Sequence, residues 1–411
     1  MDQLGSDLAD LIAAAPVAAP LFVLAIASCL YTLLAFVSVR RFKRCEGATK
    51  PWKSPGVTVL KPLYGVEEGL YENLLSFCRQ TYAGPVQILL GVHEPDDTAA
   101  AIARRLVAAA RAGRIEGAPA RLSVELVVDP TLHGTNGKVS NLINLSRRIE
   151  NELVVLADSD IMVAPDYLDR LAASLQRPGV GIVTCLYRGR PLAGFWSRLG
   201  AMGVDYGFLP NVLTGLALNM ARPCVGATIA LRRCVLEAIG GFESVKDQLA
   251  DDYALGEAVR ARGLKVVLAD FVVGHVHAET KLKDVWRRDM RWARTIRAVD
   301  PAGYIGLAAT FPVGWALLAA LASGFAPAAL ILACAALLCR MILQDEIDQR
   351  FEGCKHALWL GPLRDLLSFA IFVVSFLPGQ IHWRGRDYAL GENGIMEPIA
   401  DEAATAEAEV A

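Results

Sequence analysis

Two long charge-free runs bracket a charged middle, and they constrain this chain more than any other feature. No Asp, Glu, Lys or Arg occurs from Leu11 to Val39, nor from Pro301 to Cys339. A helix needs about 20 apolar residues to cross a bilayer, and within lipid a lone segment satisfies its backbone only as a helix. The runs therefore predict helices towards both ends, with a soluble structure between them. Residues 11–39 read as an N-terminal transmembrane anchor. Gly324 and Pro327 interrupt the second run near its middle, which predicts two spans joined by a tight hairpin. A third apolar stretch, Ala357 to Trp383, carries Arg364 and Asp365 near its start and either spans or lies partly in the interface. The expectation is a C-terminal membrane domain over 301–383 of two or three helices, then a tail over 384–411 that is disordered at its acidic, alanine-rich end.

Charges around the first run set its direction. Asp2, Asp7 and Asp10 precede it, and Arg40, Arg41, Lys43 and Arg44 follow at once. By the positive-inside rule the N-terminus faces out and the next domain lies in the cytoplasm. A cleaved signal peptide would have a basic start and a shorter apolar core. Ile26-Ala27-Ser28-Cys29 resembles a lipoprotein cleavage box, but the apolar run continues ten residues past Cys29 to its basic stop, as a retained anchor does. The expected location is a bacterial inner membrane, multi-pass, with the middle domain cytoplasmic.

Composition supports a soluble domain joined to membrane segments. Mean hydropathy is +0.36, too apolar for an ordinary soluble enzyme, while 20% of residues are charged. Net charge is −2, so nothing points to nucleic acid. The nine cysteines are scattered and no Cys-X-X-Cys occurs, so neither a zinc ribbon nor a disulfide framework is indicated and a reducing compartment fits best.

The middle of the chain alternates short apolar runs with helical patterns. Strands are predicted over 57–60, 86–92, 121–129 and 154–157, and helices over 70–80, 98–112 and 137–152. This rhythm predicts an α/β fold with a mostly parallel, doubly wound sheet. The run Val154-Val155-Leu156-Ala157-Asp158-Ser159-Asp160 ends a buried strand with two carboxylates one residue apart. Ligands bind at the carboxyl ends of such strands, and Asp158 and Asp160 offer hard oxygens to Mg²⁺ or Mn²⁺. A simple helix cap is the plain alternative.

Other candidates carry the same ambiguity. Glu94, Asp96 and Asp97 follow the second strand, where acids can accept from a nucleobase or ribose or merely turn and cap the chain. Gly134-Thr135-Asn136-Gly137-Lys138 opens a helix whose N–H groups and Lys138 can meet phosphate oxygens. It is not a Walker A loop, because Leu132 stands where glycine is required; an Asn-Gly turn explains it equally well. Asp251 and Asp252 start a helix, as caps or with one as a general base. Arg287, Arg288, Arg291, Arg294 and Arg297 form a basic amphipathic helix before the second run, as at an anionic interface. That role does not account for Trp292. His275 and His277 share one face of a strand-like run, where a structural or surface role outweighs metal ligation.

Taken in order, these pieces resemble an inverting, membrane-bound glycosyltransferase of the GT-A fold. More narrowly they resemble the ceramide glucosyltransferase family, including the bacterial hopanoid-biosynthesis glycosyltransferases. The matching residues are Leu60-Lys61-Pro62-Leu63-Tyr64-Gly65, Ser76 to Tyr82, Asp96-Asp97 and Asn136-Gly137-Lys138-Val139 with Asn141-Leu142. Asp158-Ser159-Asp160, Val225-Gly226-Ala227-Thr228, Gly240-Gly241-Phe242, Asp251-Asp252-Tyr253 and Arg288-X-X-Arg291-Trp292 complete the set. The resemblance implies a GT-A domain over 50–300 that ends in the basic helix. It implies Glu94 and Asp96 or Asp97 at the uridine, Lys138 near the nucleotide-sugar, and Asp158 with Asp160 on a Mg²⁺ or Mn²⁺ ion. It makes Asp252 the base, with Arg288, Arg291 and Trp292 closing over the diphosphate. One departure is Arg288, where the wider family often has glutamine. The implied partners are a UDP-sugar donor, a lipid acceptor (ceramide or a hopanoid such as bacteriohopanetetrol) and the membrane.

Other functions share parts of this pattern. A processive polysaccharide synthase typically needs more spans than the three or four expected here. A polyprenyl-phosphate glycosyltransferase has an anionic acceptor and needs no strong base, unlike the chemistry implied for Asp252. A catalytically dead scaffold would not need every acid that this chain retains.

Overall fold

The computed structural model describes residues 17–42, 51–65, 67–192, 194–351, 353, 355–383, 386–391 and 394–399. The acids at positions 2, 7 and 10, Lys43, Arg44 and the acidic end of the tail lie outside them. In chain order the elements begin with α1 (Ala18–Arg41), β1 (Val57–Pro62), α2 (Leu70–Cys78), β2 (Val86–Val92), α3 (Thr98–Arg111) and β3 (Leu122–Val128). Next come α4 (Gly137–Ser146), β4 (Leu153–Leu156), β5 (Ile161–Met162), α5 (Tyr167–Leu175), β6 (Val180–Pro191), α6 (Gly194–Gly203) and α7 (Leu209–Ala217). They are followed by β7 (Ile229–Arg232), α8 (Arg233–Ala238), α9 (Asp251–Ala261), β8 (Lys265–His277) and α10 (Leu282–Val299). The chain continues through α11 (Pro301–Gly306), α12 (Pro312–Ala322), α13 (Pro327–Arg350) and α14 (Gly361–Val374) to β9 (Ile381–Trp383), β10 (Arg386–Leu390) and β11 (Met396–Pro398).

These elements form two compact units, one from Cys45–Leu186, Pro223–Val276 and Pro378–Ala411, the other from Met1–Arg44, Tyr187–Arg222 and His277–Leu377. The division cuts across the continuous 50–300 domain expected from the sequence: residues 187–222 and 277–300 group with the apolar helices.

In the first unit a mixed eight-stranded sheet has the order β3-β2-β1-β4-β7-β6-β8-β5. β1 pairs in parallel with β2 and β4, and β2 with β3. β1, β2 and β4 are buried along their whole length, as parallel strands covered on both faces must be. β4 pairs antiparallel with β7, β7 with β6, and β8 with β5. Strand order reverses between β1 and β4, which opens a crevice at their carboxyl ends. Leu60, Leu89, Leu142, Leu156, Ile229 and Leu255 share one core beneath it. α4 stops at Ser146, short of the predicted 152. The Gln87 side chain draws the following loop to the sheet, donating to the Arg148 carbonyl and accepting from Glu150 N. Residues 386–391 and 394–399, expected within the tail, contribute β10 and β11 to a small sheet, β11-β10-β9.

In the second unit α1 and α13, each of 24 residues, are long and apolar enough to cross a membrane. Alanines line their contacts with α12: Ala18, Ala25, Ala316, Ala319, Ala320, Ala329 and Ala336 are buried there. Small side chains let helix backbones approach closely in lipid. The turn between α12 and α13 falls where the sequence predicted it, with Gly324 and Phe325 at positive φ and Pro327 opening α13. The first limb of that hairpin is not one straight helix: residues 301–310 and 312–322 are bent by 67°. Pro312 supplies no N–H and disfavours helical geometry at Phe311, which adopts φ −115° and ψ 61°. The third stretch forms α14, whose 14 residues span only about 21 Å.

Candidate active site

The Asp158–Asp160 loop lies at the crevice, and neighbouring elements pin each of its residues. Lys61, at the end of β1, donates to the Asp158 carbonyl at 2.5 Å. Asn73 on α2 donates to the Ser159 carbonyl, and Ser159 Oγ donates to Glu67. The Asp160 carbonyl accepts from Val276 N on β8 at 2.8 Å. His275, paired with Ile161 in the β5–β8 ladder, brings Nε2 to 3.1 Å from Asp160 Oδ2.

Lysine and aspartates meet beside this loop. Lys138 Nζ is 2.9 Å from Asp158 Oδ1 and 3.1 Å from Asp251 Oδ2. Burial alone would discharge Lys138, but Asp158, Asp251 and Asp252 more than offset it and keep the ammonium charged. Asp252 Oδ2 accepts from Gly226 N and Oδ1 from Tyr253 N, both at 2.8 Å. A methyl at Gly226 would stand 3.2 Å from Asp252 Oδ2 and 3.3 Å from Asp158 Oδ2, so both carboxylates border the same small space. Burial, and then the neighbouring Asp251 charge, push Asp252 up to about 6. A carboxylate tuned to that range is suited to proton abstraction near neutrality.

The metal expectation can be tested against the donors present. Asp160 Oδ1 is buried and has no hydrogen-bond partner among the described residues, although Asp160 is ionised: burial opposes its charge, but His275 and Lys61 hold it below the usual carboxylate range. No three His, Cys, Asp or Glu side chains converge as a metal site among the described residues. An unsatisfied oxygen without a full protein cage fits Mg²⁺-type binding, in which one or two carboxylates act with substrate phosphates.

Asp97 caps α3 through Ala99 N and also accepts from Gly65 N. Glu94 and Asp96 are exposed. The N–H groups of Lys138 and Val139, candidates for phosphate, donate instead to the Asn136 side chain, which caps α4. Arg288, Arg291 and Trp292 lie on α10 in the other compact unit. Two further residues support the loop, Lys61 and His275. Lys61 is fully buried, and burial pushes it down to about 7 while Asp158, Asp160 and Glu67 pull the other way. Its signal was a lysine closing an otherwise apolar strand. His275 gave only strand alternation.

Residues 20–396 match glycosyl transferase family 21, and the chain belongs to that family. Ceramide glucosyltransferase 1 of Caenorhabditis elegans is 25% identical over 248 residues, 60% of this chain and 51% of that protein. Ceramide glucosyltransferase 3 of the same organism is 22% identical over 277 residues, 66% of this chain and 58% of that protein. The chain thus spans about half the length of the curated relatives it matches. Among solved structures, a mannosyltransferase from Pyrobaculum calidifontis in complex with GDP-Man and Mn²⁺ is 21% identical, with a TM-score of 0.49 over 86% of this chain and 98% of that one. Family membership bears out the resemblance to ceramide glucosyltransferases and, with the mixed α/β sheet, the GT-A fold class.

Proposed function

We propose that this chain transfers a hexose or N-acetylhexosamine from a UDP-sugar to a hydroxyl of a membrane lipid, ceramide or a hopanoid such as bacteriohopanetetrol, with inversion. The observation that carries this reading is Asp252, a half-buried carboxylate raised to about 6 that shares the Gly226 gap with Asp158. Asp252 takes the proton of the lipid hydroxyl as its oxygen attacks the anomeric carbon. The new C–O bond forms as the bond to the diphosphate breaks, so the α-linked donor yields a β-glycoside and UDP departs. Lys61 and His275 hold the loop that presents Asp158 and Asp160. Asp160, with Asp158, would hold Mg²⁺ or Mn²⁺, whose charge supports the departing diphosphate. By resemblance, Glu94, Asp96 and Asp97 serve the uridine, Lys138 the nucleotide-sugar, and Arg291 and Trp292 the diphosphate. Helices embedded in the bilayer keep the acceptor away from water, which limits hydrolysis of the donor.

Purified protein in lipid nanodiscs, given UDP-sugars and a panel of lipid alcohols, should release UDP and form one β-glycolipid, detected by mass spectrometry and anomeric NMR. Formation of a polymer or of a polyprenyl-phosphate sugar, or no turnover with any pair, would overturn the reading.

Arg291→Lys should recover little of the activity lost in Arg291→Ala. A guanidinium offers phosphate a planar fork of donors, whereas an ammonium is a flexible point charge. Full activity in the lysine variant would reduce Arg291 to an interfacial cation. We also infer that the first compact unit faces the cytoplasm, where nucleotide sugars are made. A topology reporter fused after Lys50 should read cytoplasmic; an exported signal would remove both the orientation and the donor supply.

A further inference from the structure

α14 opens with adjacent opposite charges in an apolar stretch, and each is committed to a different neighbour. Asp365 accepts from Arg340 on α13, with Nε at 2.8 Å and Nη2 at 2.6 Å. Arg364 turns to α10, where its Nη2 donates to Asp289 Oδ2 at 2.6 Å. The other oxygen of Asp289 accepts from Arg288 Nε at 3.0 Å and Nη2 at 2.8 Å. Arg288 Nη1 donates to His277 Nδ1 and pairs with Glu279. All three guanidinium nitrogens of Arg288 are therefore engaged within the protein. Its Cζ lies 5.2 Å from the centre of the Trp292 ring.

α6 is shaped to admit this chain of charges. A methyl at Gly200 would meet Glu279 Oε2 at 2.9 Å and Arg288 Nη1 at 3.0 Å, and one at Gly203 would collide with the Arg364 guanidinium. The two glycines lie one turn apart on one helix face. Asp289 and Arg364 are both buried. Buried ion pairs contribute little net stability but hold a defined geometry, here between α13, α14 and α10.

We propose that Asp289 and Arg364 are positioning residues that fix Arg288 and, through it, the Trp292 ring, and that Arg288 acts as a strut rather than as a contact to the donor diphosphate. The catalytic consequence rests on the transferase reading above; the geometric one does not.

The test uses the full chain in nanodiscs, labelled with 5-fluorotryptophan, with the Trp292 resonance assigned by Trp292→Phe. Arg364→Met should shift or broaden that ¹⁹F resonance. It should also lower kcat by about tenfold to a hundredfold, the scale of a small misplacement of reacting groups, with donor KM little changed. Arg364→Lys should restore both, because the contact is a single Nη2–Oδ2 bond that an ammonium can replace. An unaltered resonance in Arg364→Met would overturn the proposal. So would a lysine variant that folds yet recovers neither signal, or a rise in KM at constant kcat. A wild-type protein that turns over no UDP-sugar would defeat only the transferase reading, since the resonance still reports whether Arg364 positions Trp292.

Discussion

Asp252→Asn is expected to bind UDP normally and to lose about 10² to 10⁴ in transfer rate, the contribution of a positioned general base. Asparagine keeps the shape of the side chain and one acceptor oxygen but cannot take the acceptor proton. Isothermal titration with UDP and a single-turnover assay separate the two quantities. The pH profile adds an independent check. Because burial and Asp251 raise Asp252 to about 6, the base is ionised above that pH and protonated below it. Wild-type kcat/KM should therefore fall as pH drops through about 6, and the asparagine variant should lack that limb. Turnover near the wild-type rate in Asp252→Asn would remove Asp252 from the reaction.

Asp160→Ala should weaken metal binding, donor binding and rate together. The substitution deletes the buried oxygen that has no hydrogen-bond partner and removes the carboxylate beside His275 Nε2. Loss of preorganised charge stabilisation of this kind costs about 10² to 10³ in rate. Mn²⁺ titration followed by electron paramagnetic resonance reads the metal directly, without turnover. Undiminished wild-type activity in EDTA, or Mn²⁺ binding unchanged in the alanine variant, would end the metal assignment.

Local pattern made much of this molecule legible. The apolar run from Val154 to Ala157 specified a buried strand because a covered parallel strand must be apolar on both faces. Gly324 and Pro327 marked the hairpin turn because they suit a positive φ and a helix start. Asp158, Asp160, Lys138 and Asp252 were named as candidates from residue type and position alone. Asp97 had two readings, and one of them, capping, is a one-turn interaction that the sequence already contained.

What the sequence could not supply was partnership across distance. Lys61 and Asp158 are 97 residues apart, and Lys138 and Asp251 are 113 apart, so no periodic pattern links them. Their meeting depends on the order β2-β1-β4-β7, which sets the ends of β1 and β4 side by side. Arg364 and Asp365 show the same limit within the apolar helices. As sequence they were two charges in a stretch that either spanned or lay in the interface; as structure each has a specific buried partner. Hydrophobic periodicity reports which face of an element is covered, so the sequence by itself determined most elements up to β4, the apolar helices and the residue types available at the strand ends. Which charges share a crevice is set by chain crossovers and strand order, and the tertiary structure alone decided that Lys138 faces two aspartates, that Gly226 separates Asp252 from Asp158, and that Asp289 joins Arg288 to Arg364.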